Sequence, residues 1–206
     1  RLLVEQFGHR PVDLLTTREL VDSLGRYGVD TPVAANRCRT AWSLFFGYAV
    51  ERGWATNNPL ANTTNRIAGG IEKPRDRVLT DAEIKWVMNL DHANGPLLRA
   101  LLLTGCRISE LQAAKVHDIE NETLHIPSTK NGKPHWVHIT PQLRVEFMQW
   151  HKGWIFKSRG ATAVQAWLRR LGMTWTPHDL RRTFATRLAG SGVAPHIVEK
   201  LLNHQM

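Results

Sequence analysis

Four short stretches of this 206-residue sequence carry side chains suited to gripping a phosphate and moving a proton beside it. In HDLRRTF (178–184), His178 and Arg181 are three residues apart near the start of an expected helix, so they share a face. A helix start favours anions, and an arginine offers a planar fork of donors. The ordinary alternative is two neighbours on a solvated surface. In TGCRISEL (104–111), Arg107 stands among apolar residues just after a glycine break. An arginine is rarely buried without a partner, and Glu110 lies three residues on. Either that pair is purely structural, or Arg107 is held at the break to reach a ligand oxygen. STKNGK (128–133) places Lys130 at the entry of a hairpin turn and Lys133 just after it. Such lysines are usually solvated, yet one on a short β-tip can be delivered into a cleft as a proton donor. Finally, His204 closes the run LLNH, with Leu201 and Leu202 expected on the buried side of a last helix.

These side chains must be positioned by a mainly α fold with a small antiparallel β-sheet. A helical segment is expected over 1–63. Thr16 and Glu19 have the spacing of a capping box. Pro32 suits the first turn of a longer helix, whose apolar members are Ala35, Cys38, Trp42, Phe45, Phe46, Ala49 and Val50. Arg37 and Arg39 lie off that stripe as candidate DNA-phosphate contacts or as solvated charges. Residues 64–78, with Gly69-Gly70, Pro74 and no apolar period, read as a linker. A second domain follows over 79–206. It opens with a capping box at Thr80 and Glu83 and continues with a core helix from Pro96 that breaks at Gly105. The pattern then alternates around Asn131-Gly132, a strong hairpin-turn signal, between Thr123–Ile126 and Trp136–Ile139. Helices after Thr140, around Val164–Leu171, after Thr176 and from Pro195 complete an α+β unit.

Charge points to the partner. The chain carries 27 Lys+Arg against 18 Asp+Glu, net +9. Between Thr123 and Arg187 there are eleven basic residues and two acids, Glu146 and Asp179, an excess equal to the net charge of the whole chain. That distribution fits a polyanion-binding surface, with Lys133 and Arg182 as further candidates. No apolar run is long enough to span a bilayer, so no membrane partner is expected. Cys38 and Cys106 read as reduced thiols of a cytoplasmic protein. The start at Arg1 suggests a string that begins inside a longer protein.

Taken together and in this order, the motifs resemble those of the tyrosine recombinases, the phage-type integrase family. Its pattern is Arg in a TGxRxxEL box, Lys on a β-hairpin, His-x-x-Arg at a helix start, and His or Trp in a following L-x-x-H. The matching residues are Arg107, Lys130, His178, Arg181 and His204. The resemblance is close over 79–206, and 1–63 looks like the family's helical core-binding domain. It implies metal- and cofactor-free cleavage of double-stranded DNA, by two domains that embrace the duplex. Arg107 and Arg181 would bind the nonbridging oxygens, His178 would deprotonate or orient the nucleophile, Lys130 would protonate the departing 5′-oxygen, and His204 would hydrogen-bond the phosphate. It also implies a tetramer on two duplexes for the full-length protein, with room for accessory DNA-bending proteins. The family's nucleophile is a tyrosine shortly after the last histidine. The tyrosines here are Tyr27 and Tyr48, both in the N-terminal segment, so the nucleophile is assigned to neither and is expected outside this string. The connections near 91–95 and 160–161 are also short for the family.

Two other readings compete. One is a non-catalytic DNA-binding relative or fragment that occupies recombination sites, favoured by the absent tyrosine. The other is a metallohydrolase, since the chain has ten histidines, with His125, His135 and His138 on or near the hairpin. No H-E-x-x-H or Cys/His ligand spacing supports it.

Overall fold

The computed structural model describes residues 1–129, 132–148, 153–157 and 160–204. The chain divides into two compact units, Arg1–Arg75 and Asp76–Met206.

In the first unit, α1 (Leu2–Phe7), α2 (Thr17–Asp30) and α3 (Pro32–Glu51) pack around Leu20, Leu24, Trp42, Phe46 and Leu60. The expected capping box starts α2: the Glu19 carboxylate accepts from the Thr16 N–H at 3.0 Å and from its hydroxyl at 2.8 Å. The Arg10 guanidinium joins them, and these hydrogen bonds hold Glu19 down to a pKa of about 2. The apolar stripe of α3 is narrower than its sequence suggests. Trp42, Phe46 and Ala49 are buried, whereas Phe45 and Val50 are exposed, because residues adjacent in a helix diverge by about 100°.

The first half of the 64–78 stretch is not a free tether. Ile67 and Ala68 pack against the first unit's core. Asn36, buried on α3, accepts from the Gly69 N–H at 2.8 Å and donates to the carbonyl of Gly70 at 2.9 Å and to Glu72 at 3.0 Å. The division between units falls within this stretch, after Arg75.

The second unit contains α4 (Asp81–Met88), α5 (Gly95–Thr104), α6 (Ile108–Ala113), the strands β1 (Ile119–Glu120), β2 (Thr123–Ile126) and β3 (His135–His138), then α7 (Pro141–Phe147), α8 (Ala161–Arg170), α9 (Pro177–Gly190) and α10 (Pro195–Leu201). Leu97, Leu98 and Leu101 of α5, Leu111, Leu124, Leu168, Trp175 and Leu180 form its core. The sheet is antiparallel in the order β1-β2-β3, with Leu124 opposite Val137 and Ile126 opposite His135. One detail differs from the sequence reading: a short β1 joins the hairpin. Among the described residues the last paired are Ile126 and His135, and beyond them the Gly132 N–H donates to the Thr129 carbonyl at 2.9 Å.

Candidate active site

The site is built around the break after α5. Gly105 adopts φ +66°, and a Cβ there would lie 2.4 Å from Phe184 Cδ1 of α9 and 2.9 Å from Leu202 Cδ2. Only glycine fits, for backbone and packing reasons alike. The tight turn delivers Arg107 to the start of α6. There the Glu110 carboxylate, itself buried, accepts from Arg107 Nη1 at 2.7 Å and from its backbone N–H at 2.8 Å. The structural partner expected for Arg107 is therefore present.

Arg181, in the second turn of α9, is only 4% exposed. It donates through Nη1 to the Gly105 carbonyl at 2.7 Å and through Nη2 to the Leu202 carbonyl at 2.6 Å. One guanidinium thus joins the break after α5, the start of α9 and the end of α10. Burial and the neighbouring Arg107 cation lower its pKa. Two arginines held this close create a strongly positive spot that an anion relieves. Cys106, between Gly105 and Arg107, is buried, and burial pushes its thiol up to about 11. It is therefore a protonated packing residue.

His178 sits in the first turn of α9, where the Asp179 carboxylate accepts from the Thr176 N–H at 2.8 Å and hydroxyl at 3.0 Å. The residue is exposed, yet its ring is partly desolvated. That desolvation, followed by the Arg182 and Arg181 charges, lowers its pKa below the ordinary 6.5, so it is neutral near pH 7. His204 follows Asn203, whose φ of +51° turns the chain after α10. Its Nδ1 meets a carboxylate oxygen of Glu199. The Asn203 amide lies 3.4 Å from the Thr129 hydroxyl and 3.5 Å from the Lys133 carbonyl, in the connection between β2 and β3. The hairpin and the end of α10 are thereby tied together. Lys130 lies outside the described residues; Lys133 is exposed beyond it.

Sequence reasoning weighed one group, His135, only as a metal-ligand candidate and not as a neighbour of this site. His135, on the inner face of β3 and 7% exposed, lies within electrostatic reach of Glu110, Arg181 and Arg107, and burial lowers its pKa. Counting back in twos from Ile139 and Val137 would have placed it inside. His138 is on the opposite, exposed face, and His125 stacks on Trp136 with ring centroids 5.0 Å apart. The three hairpin histidines therefore do not converge. In the first unit, Arg37 is exposed, whereas the Arg39 guanidinium donates to the Thr63 carbonyl and, at 3.3 Å, to the Thr63 hydroxyl.

Residues 77–206 match the model of the phage integrase family. This chain belongs to that family. It is 27% identical to the tyrosine recombinase XerD of Caulobacter vibrioides, with 99% of this chain and 78% of XerD covered. That alignment runs over 243 positions, more than the chain's own length, so it opens gaps in this integrase-family chain. The tyrosine recombinase XerA of Saccharolobus solfataricus is 29% identical over 66% of the chain, which spans half of XerA. The fold matches a lambda integrase dimer bound to a COC′ core site, with a TM-score of 0.79 and 21% identity, covering 100% of this chain and 84% of that one. The phage-type integrase fold expected from the motifs, mainly helical with a small antiparallel sheet, is the fold observed.

Proposed function

We propose that this chain supplies the DNA-binding and phosphate-activating parts of a site-specific DNA recombinase acting on double-stranded DNA in the cytoplasm. The observation that carries the proposal is the pair of clamped guanidiniums, Arg107 on Glu110 and Arg181 on the Gly105 and Leu202 carbonyls. Such cations cost no reorganisation when the phosphorus gains a fifth oxygen and negative charge develops on its nonbridging oxygens. His178, neutral near pH 7, is suited to accept or steer the nucleophile's proton. Lys130 is assigned the donor to the departing 5′-oxygen, and His204 a contact to the phosphate. A tyrosine oxygen would displace that 5′-oxygen and form a 3′-phosphotyrosyl bond, which conserves the bond energy for rejoining. Tyr27 and Tyr48 belong to the first unit and are not assigned that role.

The partner is duplex DNA, with Arg37, Lys133 and Arg182 as backbone contacts, and four full-length protomers act on two duplexes. Arg39 is spent largely on Thr63 and contributes less. Among the relatives' solved structures is a lambda integrase tetramer bound to a Holliday junction. No helix among the described residues is long and apolar enough to cross a membrane. The test is trapping on a nicked suicide substrate by the full-length protein. A covalent protein–DNA adduct formed in EDTA supports the recombinase. Tight binding without an adduct selects the non-catalytic DNA-binding reading, and an EDTA-sensitive hydrolysis without an adduct selects a metallohydrolase.

A further inference from the structure

The geometry points to Glu199 as the positioning residue for His204: its carboxylate takes the Nδ1 edge of the imidazole and leaves Nε2 to meet the phosphate. The inference deepens the recombinase reading and rests on it for the identity of the ligand.

Glu199 holds His204 twice. Its backbone carbonyl accepts from the His204 N–H at 3.0 Å, and its side chain meets Nδ1. The turn that brings the two together is the positive φ of Asn203. The flanking residues are also fixed: the Leu202 carbonyl accepts from Arg181, and the Asn203 amide reaches Thr129 in the connection between β2 and β3. The side chains of His204 and Glu199 keep 40% and 45% of their exposure. An ion pair that open contributes little to stability. Its consequence is orientation, because an imidazole otherwise samples several χ1 wells and a broad χ2 range. Which ring nitrogen carries the proton is set by the hydrogen bond the other makes. A carboxylate on Nδ1 selects the Nδ1–H form of the neutral ring. When Nε2 also donates to a phosphate oxygen, the ring holds both protons and Glu199 is its counter-charge. The same carboxylate lies within electrostatic reach of Arg181, so it balances the cations on that side of the site.

The test has a spectroscopic arm and a kinetic arm. In ring-15N NMR of this chain, at a pH where His204 is neutral, the account expects Nδ1 protonated in wild type and in Glu199→Gln, which keeps an acceptor oxygen. Glu199→Ala should shift the ring towards the Nε2–H form. In single-turnover cleavage by the full-length protein, Glu199→Ala should slow the reaction by about tenfold, the scale of losses seen when an orienting partner is removed. Glu199→Gln should stay within about threefold of wild type. Glu199→Ala combined with His204→Ala should be no slower than His204→Ala alone. An Nε2–H ring in wild type, or losses that multiply in the double variant, would overturn the inference. If no covalent adduct forms at all, the recombinase reading fails, and the NMR arm still decides whether Glu199 orients His204.

Discussion

The floor and the rim of the candidate active site are held in different ways. The floor consists of Gly105, Arg107, Glu110, Arg181 and Leu202. Its charged groups are buried or nearly so, and each arginine is clamped by a carboxylate or by two backbone carbonyls. The rim consists of His178, Lys133 and His204, which are exposed and lie at helix ends or beside the hairpin tip. The floor presents fixed positive charge, which stabilises a charged transition state best when it does not move. The rim carries the groups proposed to handle the nucleophile's proton (His178), to contact the phosphate (His204) and to touch the DNA backbone (Lys133). Removing a floor residue should therefore damage both fold and chemistry, whereas removing a rim residue should damage chemistry alone.

The largest effect is expected for Arg181→Ala. Cleavage should fall by roughly a hundredfold or more. The orphaned Gly105 and Leu202 carbonyls should cost about 1–3 kcal/mol each if they stay dry. Urea unfolding and a band-shift assay would check that stability drops while much of the DNA affinity survives. Gly105→Ala comes next. It adds a Cβ in a backbone region that disfavours side chains and against two packed residues, and should destabilise by about 2–4 kcal/mol. A variant as stable as wild type would show that the break is looser than described.

Two histidines, His178 at the rim and the buried His135, make a subtler prediction through pH. His178 and His135 both have pKa values lowered chiefly by burial. Each is harder to protonate in the folded chain, so its contribution to stability is complete above 6.5 and is lost progressively as the pH falls from there to the lowered folded value. Thermal melts should show this acid loss, and it should shrink in His135→Gln. The cleavage rate should have an acid limb with a midpoint below 6.5, absent in His178→Gln. The smallest effects are expected in the first unit. Arg37→Ala should leave stability unchanged and reduce the salt dependence of DNA binding by about one counterion. Arg39→Ala, by contrast, should lower stability, because its guanidinium holds Thr63.

The motif residues were legible because their chemistry is local. Arg107 with Glu110 and His178 with Arg181 are three apart, and helix geometry brings each pair together. The antiparallel hairpin was legible from its alternation. What escaped depends on long-range packing. Nothing in the sequence says that Asn203 reaches Thr129, or that Arg181 spans to Gly105 and Leu202. The last helix shows the limit well. Leu201 and Leu202 looked equally buried, yet Leu202 packs inside with Val198, while Leu201 stays 43% exposed, on the side of Ile197. Two apolar i, i+4 pairs offset by one residue compete for the core on so short a helix, and the sequence does not say which wins. Nor does the sequence say that, within the stretch read as a linker, Asn36 draws 69–72 onto the first unit.

The central claim is that the clamped arginines hold the reacting phosphate. The most direct measurement compares covalent trapping on a suicide DNA substrate by the full-length wild type and by Arg181→Ala. The account predicts a covalent adduct with wild type, and none with the variant even where band shifts show it bound to the same DNA. An adduct formed by Arg181→Ala at near the wild-type rate would contradict it.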